Sequence, residues 1–125
     1  MPTPLHELKA EFFKTLGHPL RVRVLEILSV RESSVAEILA DVGVEPSNLS
    51  QQLAVLRRSG LVTARREAST VYYTITSPQV AELLAVARGI LTSVLTGQEG
   101  LLVNLRAEAP RAPRERRRAG PRRTG

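Results

Sequence analysis

The 125-residue chain contains no cysteine, so disulfides, thiolate metal sites and thiol nucleophiles are excluded. Histidine is scarce as well, with only His6 and His18, and the serines are scattered without a glycine-framed elbow, so no set of nucleophile, base and orienting group can be assembled. No glycine-rich phosphate loop is present either. These gaps speak against an enzyme. No uninterrupted apolar run approaches the roughly 20 residues that a membrane span requires, and His6, Glu7, Lys9 and Glu11 break up the N-terminal segment. The expectation is therefore a cytoplasmic protein without a membrane partner. What is present, 42% apolar residues, suffices for one small domain with a modest core. That domain is expected over residues 1–106.

Acidic residues are missing where they would matter most. None lies between Glu45 and Glu67, a span that carries Arg57, Arg58, Arg65 and Arg66. The net charge of +6 is otherwise mostly tail: from Ala107 to Gly125 seven Arg stand against Glu108 and Glu115, a net +5 that leaves +1 for residues 1–106. Bulk charge is thus no argument for nucleic acid, whereas the local basic span is. Residues 107–125, rich in Arg, Pro, Gly and Ala, have few apolar side chains to bury and are expected to be a disordered tail.

Apolar spacing organises the rest. Leu5, Leu8, Phe12, Phe13 and Leu16 predict a first helix over about Pro4 to Leu16, closed by Gly17. Leu20, Val24, Ile27 and Leu28 predict a second, ending near Val30, with Arg21, Arg23, Glu26 and Arg31 on its wet side. Ser33 or Ser34 can cap a short third helix, Glu37 completing a capping box with Ser34, and Val35, Ile38 and Leu39 facing inward until Gly43. A fourth helix follows the turn Asp41 to Glu45, giving a helix-turn-helix. After Gly60 the period changes from 3.6 to 2, so that Leu61 to Arg66 and Thr70 to Ile75 read as a hairpin around Glu67-Ala-Ser69. Ser77-Pro78 then starts a last helix with Val80, Leu83, Leu84, Ala87, Ile90, Leu91, Val94 and Leu95 apolar, interrupted near Gly97 to Gly100 before Leu101 to Leu105. Its stripe is too wide for one small domain to cover. Exposed apolar area of that extent marks an association surface, and a homodimer is expected through Leu5, Leu8, Phe12, Leu83, Leu84, Ala87, Ile90, Leu91 and Val94.

The fourth helix carries the most information. Leu49, Leu53 and Leu56 share one buried stripe, while Ser47, Gln51, Ala54 and Arg58 lie opposite, with Asn48 at the edge. Asn and Gln amides donate to and accept from adenine together in the major groove, and Arg57 and Arg58 follow where a helix end meets phosphate. The expected DNA-contacting set is Ser47, Asn48, Ser50, Gln51, Gln52, Arg57, Arg58, Arg65, Arg66 and Thr70. Tyr72 is a weaker candidate, since strand alternation buries either it or Tyr73. A solvated helix face is the plainer account of these side chains.

The order of elements, with Ser47-Asn-Leu-Ser-Gln-Gln-Leu-Ala-Val-Leu-Arg-Arg-Ser-Gly-Leu-Val62, the hairpin Arg65-Arg-Glu-Ala-Ser-Thr-Val-Tyr-Tyr73 and the entry Phe13-Lys-Thr-Leu-Gly-His-Pro-Leu-Arg-Val-Arg-Val-Leu25, resembles the ArsR/SmtB family of bacterial winged-helix regulators over roughly residues 5–95. The resemblance implies a mainly α, dimeric winged helix-turn-helix of about five helices plus a two-stranded wing. It also implies operator binding, most often repression relieved by an inducer. Two departures bear on metal sensing. Where thiophilic-metal sensors commonly have Cys-x-Cys this chain has Ser34-Val-Ala36, and Pro78 to Leu105 offers no His and only Glu82 and Glu99 as carboxylates. Gln52 stands where many members have His, and Ala68 near the wing tip where Gly is common.

No cofactor is expected. A divalent metal such as nickel or zinc has only His6, Glu7 and His18 as candidate ligands, with Glu11 nearby, and a surface or capping histidine is the plainer account. The expected partners are double-stranded DNA and a second copy, with a small inducer or a partner protein left open. Two rivals differ in class: a winged-helix adaptor whose fourth helix docks a protein groove, and an architectural binder driven by the Arg tail. Deleting residues 107–125 separates the latter, because a regulator keeps specific operator binding without them.

Overall fold

Among the described residues, 2–97 and 106–107 of a computed structural model, the chain runs α1 (Leu5–Leu16), α2 (Pro19–Val30), β1 (Ser33–Ser34), α3 (Val35–Val42), α4 (Pro46–Arg58), β2 (Val62–Glu67), β3 (Thr70–Ile75) and α5 (Pro78–Thr96). The described residues divide into two units between Ala85 and Val86, within α5. The expected break after Gly97, the segment Leu101 to Leu105 and, beyond Ala107, the Arg-rich tail lie outside the described residues.

Local chemistry sets the helix ends. His18 caps α2, its Nδ1 accepting from the Leu20 amide at 3.2 Å, with Pro19 at the first helical position. The capping box on α3 is complete: the Glu37 amide donates to Ser34 Oγ at 3.1 Å and the Ser34 amide to Glu37 Oε1 at 2.8 Å. That last bond holds the Glu37 carboxyl below its ordinary pKa. Gly43, with φ of 65°, ends α3 in the left-handed conformation and returns its N–H to the Leu39 carbonyl, which makes the turn into α4.

α2 is the centre of the core. It packs against α1, α3, α4 and β3, and Leu20, Val24, Leu25 and Leu28 are buried. With four neighbours, its burial extends past a single stripe: Leu25 is fully enclosed, and Arg21, expected on the wet side, is half-buried with its Nε lacking a hydrogen-bond partner among the described residues, while Arg23, Glu26 and Val30 stay exposed. Ile38 of α3, Leu49, Leu53 and Leu56 of α4, Leu61 and Val62 leading into β2, and Val80 of α5 complete the cluster.

The expected hairpin, β2–β3, is joined by β1 into a three-stranded sheet. Its antiparallel order is β1-β3-β2, with Ser33 opposite Tyr73 and Ser34 opposite Tyr72 on one side of β3, and Ala64 opposite Tyr73 and Arg65 opposite Tyr72 on the other. The Thr63 and Thr74 hydroxyls bond across the β2–β3 pair at 2.9 Å. At the tip Ala68 takes φ of 57°, a left-handed conformation that glycine adopts at less cost.

On α5, Val80 is buried and Leu83 and Leu84 pack partly on the core. In the second unit, Val86, Ile90, Leu91 and Val94 are each more than half exposed. By length and composition α5 is long and apolar enough to cross a membrane, which the sequence reading did not anticipate. On α1, Leu5, Leu8 and Phe13 are exposed while Phe12 turns onto the core, its ring edge-on to Phe13 at 5.5 Å. Phe13 thus occupies the exposed position that the helical spacing had suggested for Phe12.

Candidate nucleic-acid interface

Leu49, Leu53 and Leu56 seat α4 on the core with at most 2% exposure, each such side chain contributing roughly 1.5–3 kcal/mol. The opposite side is thereby fixed outward: Ser47, Asn48, Ser50, Gln51, Arg57 and Arg58 are exposed, and Gln52 is half-buried. Gln52 Nε2 donates to Asn48 Oδ1 at 3.3 Å, which pairs the two amides one turn apart.

The end of α4 is bonded to the base of the hairpin. Gly60, at φ of 77°, lets the chain leave the helix. The Leu61 amide then reaches the Leu56 carbonyl at 3.0 Å, and the Thr76 hydroxyl donates to the Gly60 carbonyl at 2.8 Å. Between helix and sheet lies an open depression of about 550 Å³ lined by Ser50, Ala54, Arg57, Arg58 and Tyr73. Two guanidinium groups beside a hydroxyl suit a phosphate oxygen. Favourable placement of Arg57 and Arg58 in the last turn of α4 is the competing structural account, and it explains neither the depression nor Tyr73 at its wall.

The hairpin arginines, alike in sequence, differ in setting. Strand alternation puts Arg65 on the face with Tyr72 and Arg66 on the face with Tyr73, the residue that lines the depression. Arg65 is engaged within the chain: its Nε and Nη2 donate to the two Glu32 carboxylate oxygens at 3.2 and 3.0 Å, its Nη1 donates to Glu67 at 3.0 Å, and its guanidinium lies 4.8 Å over the Tyr72 ring. The hydrogen bonds to Glu32, then Glu67, raise its pKa further above the ordinary arginine value. Arg66 is exposed and takes part in no ion pair among the described residues. Thr70, opposite Glu67 at the tip, is half-buried.

The metal candidates do not gather into one cluster among the described residues. His6 Nε2 lies 3.9 Å from Glu7 on the surface of α1, His18 commits Nδ1 to its cap, and no group of three potential ligands forms among the described residues.

The fold has counterparts. The family model described as "Bacterial regulatory protein, arsR family" matches residues 18–64. The chain is 58% identical over 105 residues, 83% of its length and 92% of the relative's, to the uncharacterized HTH-type transcriptional regulator Rv0081 of Mycobacterium tuberculosis. The chain belongs to the arsR family of bacterial regulators. The crystal structure of Rv0081 superposes with a TM-score of 0.72 over 78% of this chain and 98% of that one, at 58% identity. The transcriptional repressor BigR of Xylella fastidiosa matches at 36% identity and a TM-score of 0.64, over 68% and 87% of the two chains. A homodimeric winged helix-turn-helix DNA-binding domain of Mycobacterium bovis, Mb0332, matches at 31% identity and 0.66, over 75% and 87%. The protein is accordingly a winged helix-turn-helix transcriptional regulator of the DNA-binding kind, with α3 and α4 as the helix-turn-helix and β2–β3 as the wing.

Nothing in the sequence marks Ala54 and Tyr73 as walls of one depression, or Thr76 as the tie between wing and α4. Alternation could have paired Tyr73 with Arg66, but only the packing of β3 beside α4 shows which face meets the helix.

Proposed function

We propose that this arsR-family regulator works in the cytoplasm as a homodimeric repressor on an inverted-repeat operator, each subunit placing α4 in one of two successive major grooves about 34 Å apart. The observation that carries this reading is the outward face of α4, where Asn48 and Gln51 stand on a leucine-backed helix beside the depression lined by Arg57 and Arg58. Asn48 and Gln51 read adenine edges, and Arg57, Arg58 and Arg66 set register on phosphate. Three such arginines per subunit neutralise roughly four to six phosphates in the dimer, so log K falls with log[salt] at a slope of about −4 to −5.

Repression is supported by the repressor relative, and dimerisation by the homodimeric neighbour together with the bare apolar faces of α1 and α5. An inducer would act by binding the DNA-competent and DNA-incompetent dimers with different affinity. An adaptor docking α4 on a protein groove is disfavoured by the polar outer face of that helix.

Substituting single residues tests the assignment. Gln51→Ala is expected to cost about 1–3 kcal/mol on the preferred duplex and little on random duplex, whereas Arg58→Ala weakens both alike and lowers the salt slope. Affinities of both variants on both duplexes, measured at several salt concentrations, check this. Equal losses on the two duplexes for Gln51→Ala would remove the readout role.

A further inference from the structure

Arg65 reaches across the whole sheet. It projects from β2, passes over the Tyr72 ring on the central strand β3, and ends on Glu32, one residue ahead of β1. Two strand spacings are roughly 10 Å, a distance that an extended arginine and a glutamate cover between them. Nothing else in the wing spans it in this way among the described residues. The tip of the hairpin is otherwise held by its own ladder, with Glu67 opposite Thr70 and Ala68 in a left-handed turn.

An isolated exposed ion pair holds little. Here a planar guanidinium is gripped at both oxygens of Glu32, at Glu67, and by the ring beneath it, so one orientation satisfies every contact at once. The same contacts use one N–H on each of Nε, Nη1 and Nη2, three of the five donors that would otherwise reach a phosphate. Arg66, on the other face of the strand, has no side-chain partner among the described residues.

We propose that Arg65 is a positioning residue, a strap from Glu32 across Tyr72 that fixes the wing against the body of the domain and thereby aims Arg66 at the DNA backbone. The role for Arg66 rests on the DNA-binding reading above; the strap itself does not. Two consequences separate it from a direct phosphate contact. First, Glu32 is acidic, and on electrostatic grounds alone its neutralisation would strengthen binding to a polyanion; loss of the strap weakens it. Second, Glu32 and Arg65 act as one unit, so their substitutions do not add.

The test uses the full chain and the variants Glu32→Gln, Arg65→Gln and the double. Hydrogen exchange of the β2 and β3 amides without DNA reports the strap, and affinity for a duplex selected by the wild-type chain, over a range of salt, reports its effect. Each single variant is expected to speed wing exchange and to weaken binding by about 5-fold with the salt slope unchanged, and the double to match the singles within about 2-fold. Unchanged exchange in Glu32→Gln would overturn the strap. So would an Arg65→Gln variant that alone weakens binding and flattens the slope by about one unit, the mark of a lost phosphate contact. If the wild-type chain selects no duplex while Glu32→Gln still speeds wing exchange, the strap stands and the DNA reading falls.

Discussion

Replacing Ile90 and Val94 together by aspartate is expected to turn the protein into a monomer and to weaken operator binding by about 10²–10⁴-fold, the range lost when two linked binding events become independent. The two side chains lie one turn apart on α5 and are 61% and 57% exposed in a single chain. Val86 and Leu91 beside them are also bare, so the helix carries an apolar surface that water covers poorly. A second copy would cover it at a gain of roughly 1.5–3 kcal/mol for each large side chain fully buried, whereas a carboxylate placed in such a contact would have to be buried without a partner. Sedimentation and operator titration check the two halves of this expectation. A retained dimer would place the contact elsewhere, and a monomer with full operator affinity would show that two half-sites are not read together.

Leu53→Ala is expected to cost about 2–5 kcal/mol of folding stability, a large part of the 5–15 kcal/mol that a domain of this kind has in total. Leu53 is the middle residue of the stripe that seats α4, is 2% exposed, and sits between Leu49 and Leu56, both fully enclosed. Truncating it leaves a void beneath the recognition face that helix and strands can close only in part. Urea unfolding measures the loss. The contrast with Gln51→Ala is informative: the glutamine is exposed and makes no side-chain hydrogen bond among the described residues, so its substitution leaves stability nearly unchanged while altering DNA preference. If Leu53→Ala were as stable as the parent, the packing described for α4 would be wrong.

Much of the fold is local chemistry and was therefore readable along the chain. Ser34 and Glu37 announce the start of α3, Gly43 and Gly60 mark the turns on either side of α4, and the leucine spacing of α4 separates its buried from its outward face. What escaped is set by distant partners. β1 is two serines, too short to show alternation, and Ser34 is at once strand end and helix cap, so only the pairing with Tyr72 and Tyr73 reveals a strand. Arg21 looked solvated because its helix was read as having one covered side, while α1, α3, α4 and β3 together cover more of α2 than that and leave Arg23, Glu26 and Val30 exposed. Arg65 and Arg66 are chemically identical neighbours, and their separation into a tied and an available cation depends on Glu32, 33 residues earlier in the chain. Of the α4 residues named from the sequence, Ser50, Arg57 and Arg58 line the depression, Ser47, Asn48 and Gln51 are exposed elsewhere on the helix and Gln52 is half-buried, and the depression needed β3 in place to exist.

The central claim, that two copies of α4 read base edges at a fixed separation, is tested most directly by selecting duplexes from a random pool with the purified full chain. The account predicts enrichment of an inverted repeat with half-site centres about 10–10.5 base pairs apart, adenines among its specified positions, and loss of that preference in the Asn48→Ala, Gln51→Ala double variant. No enrichment over random competitor, or the same preferred sequence from the double variant, would contradict it.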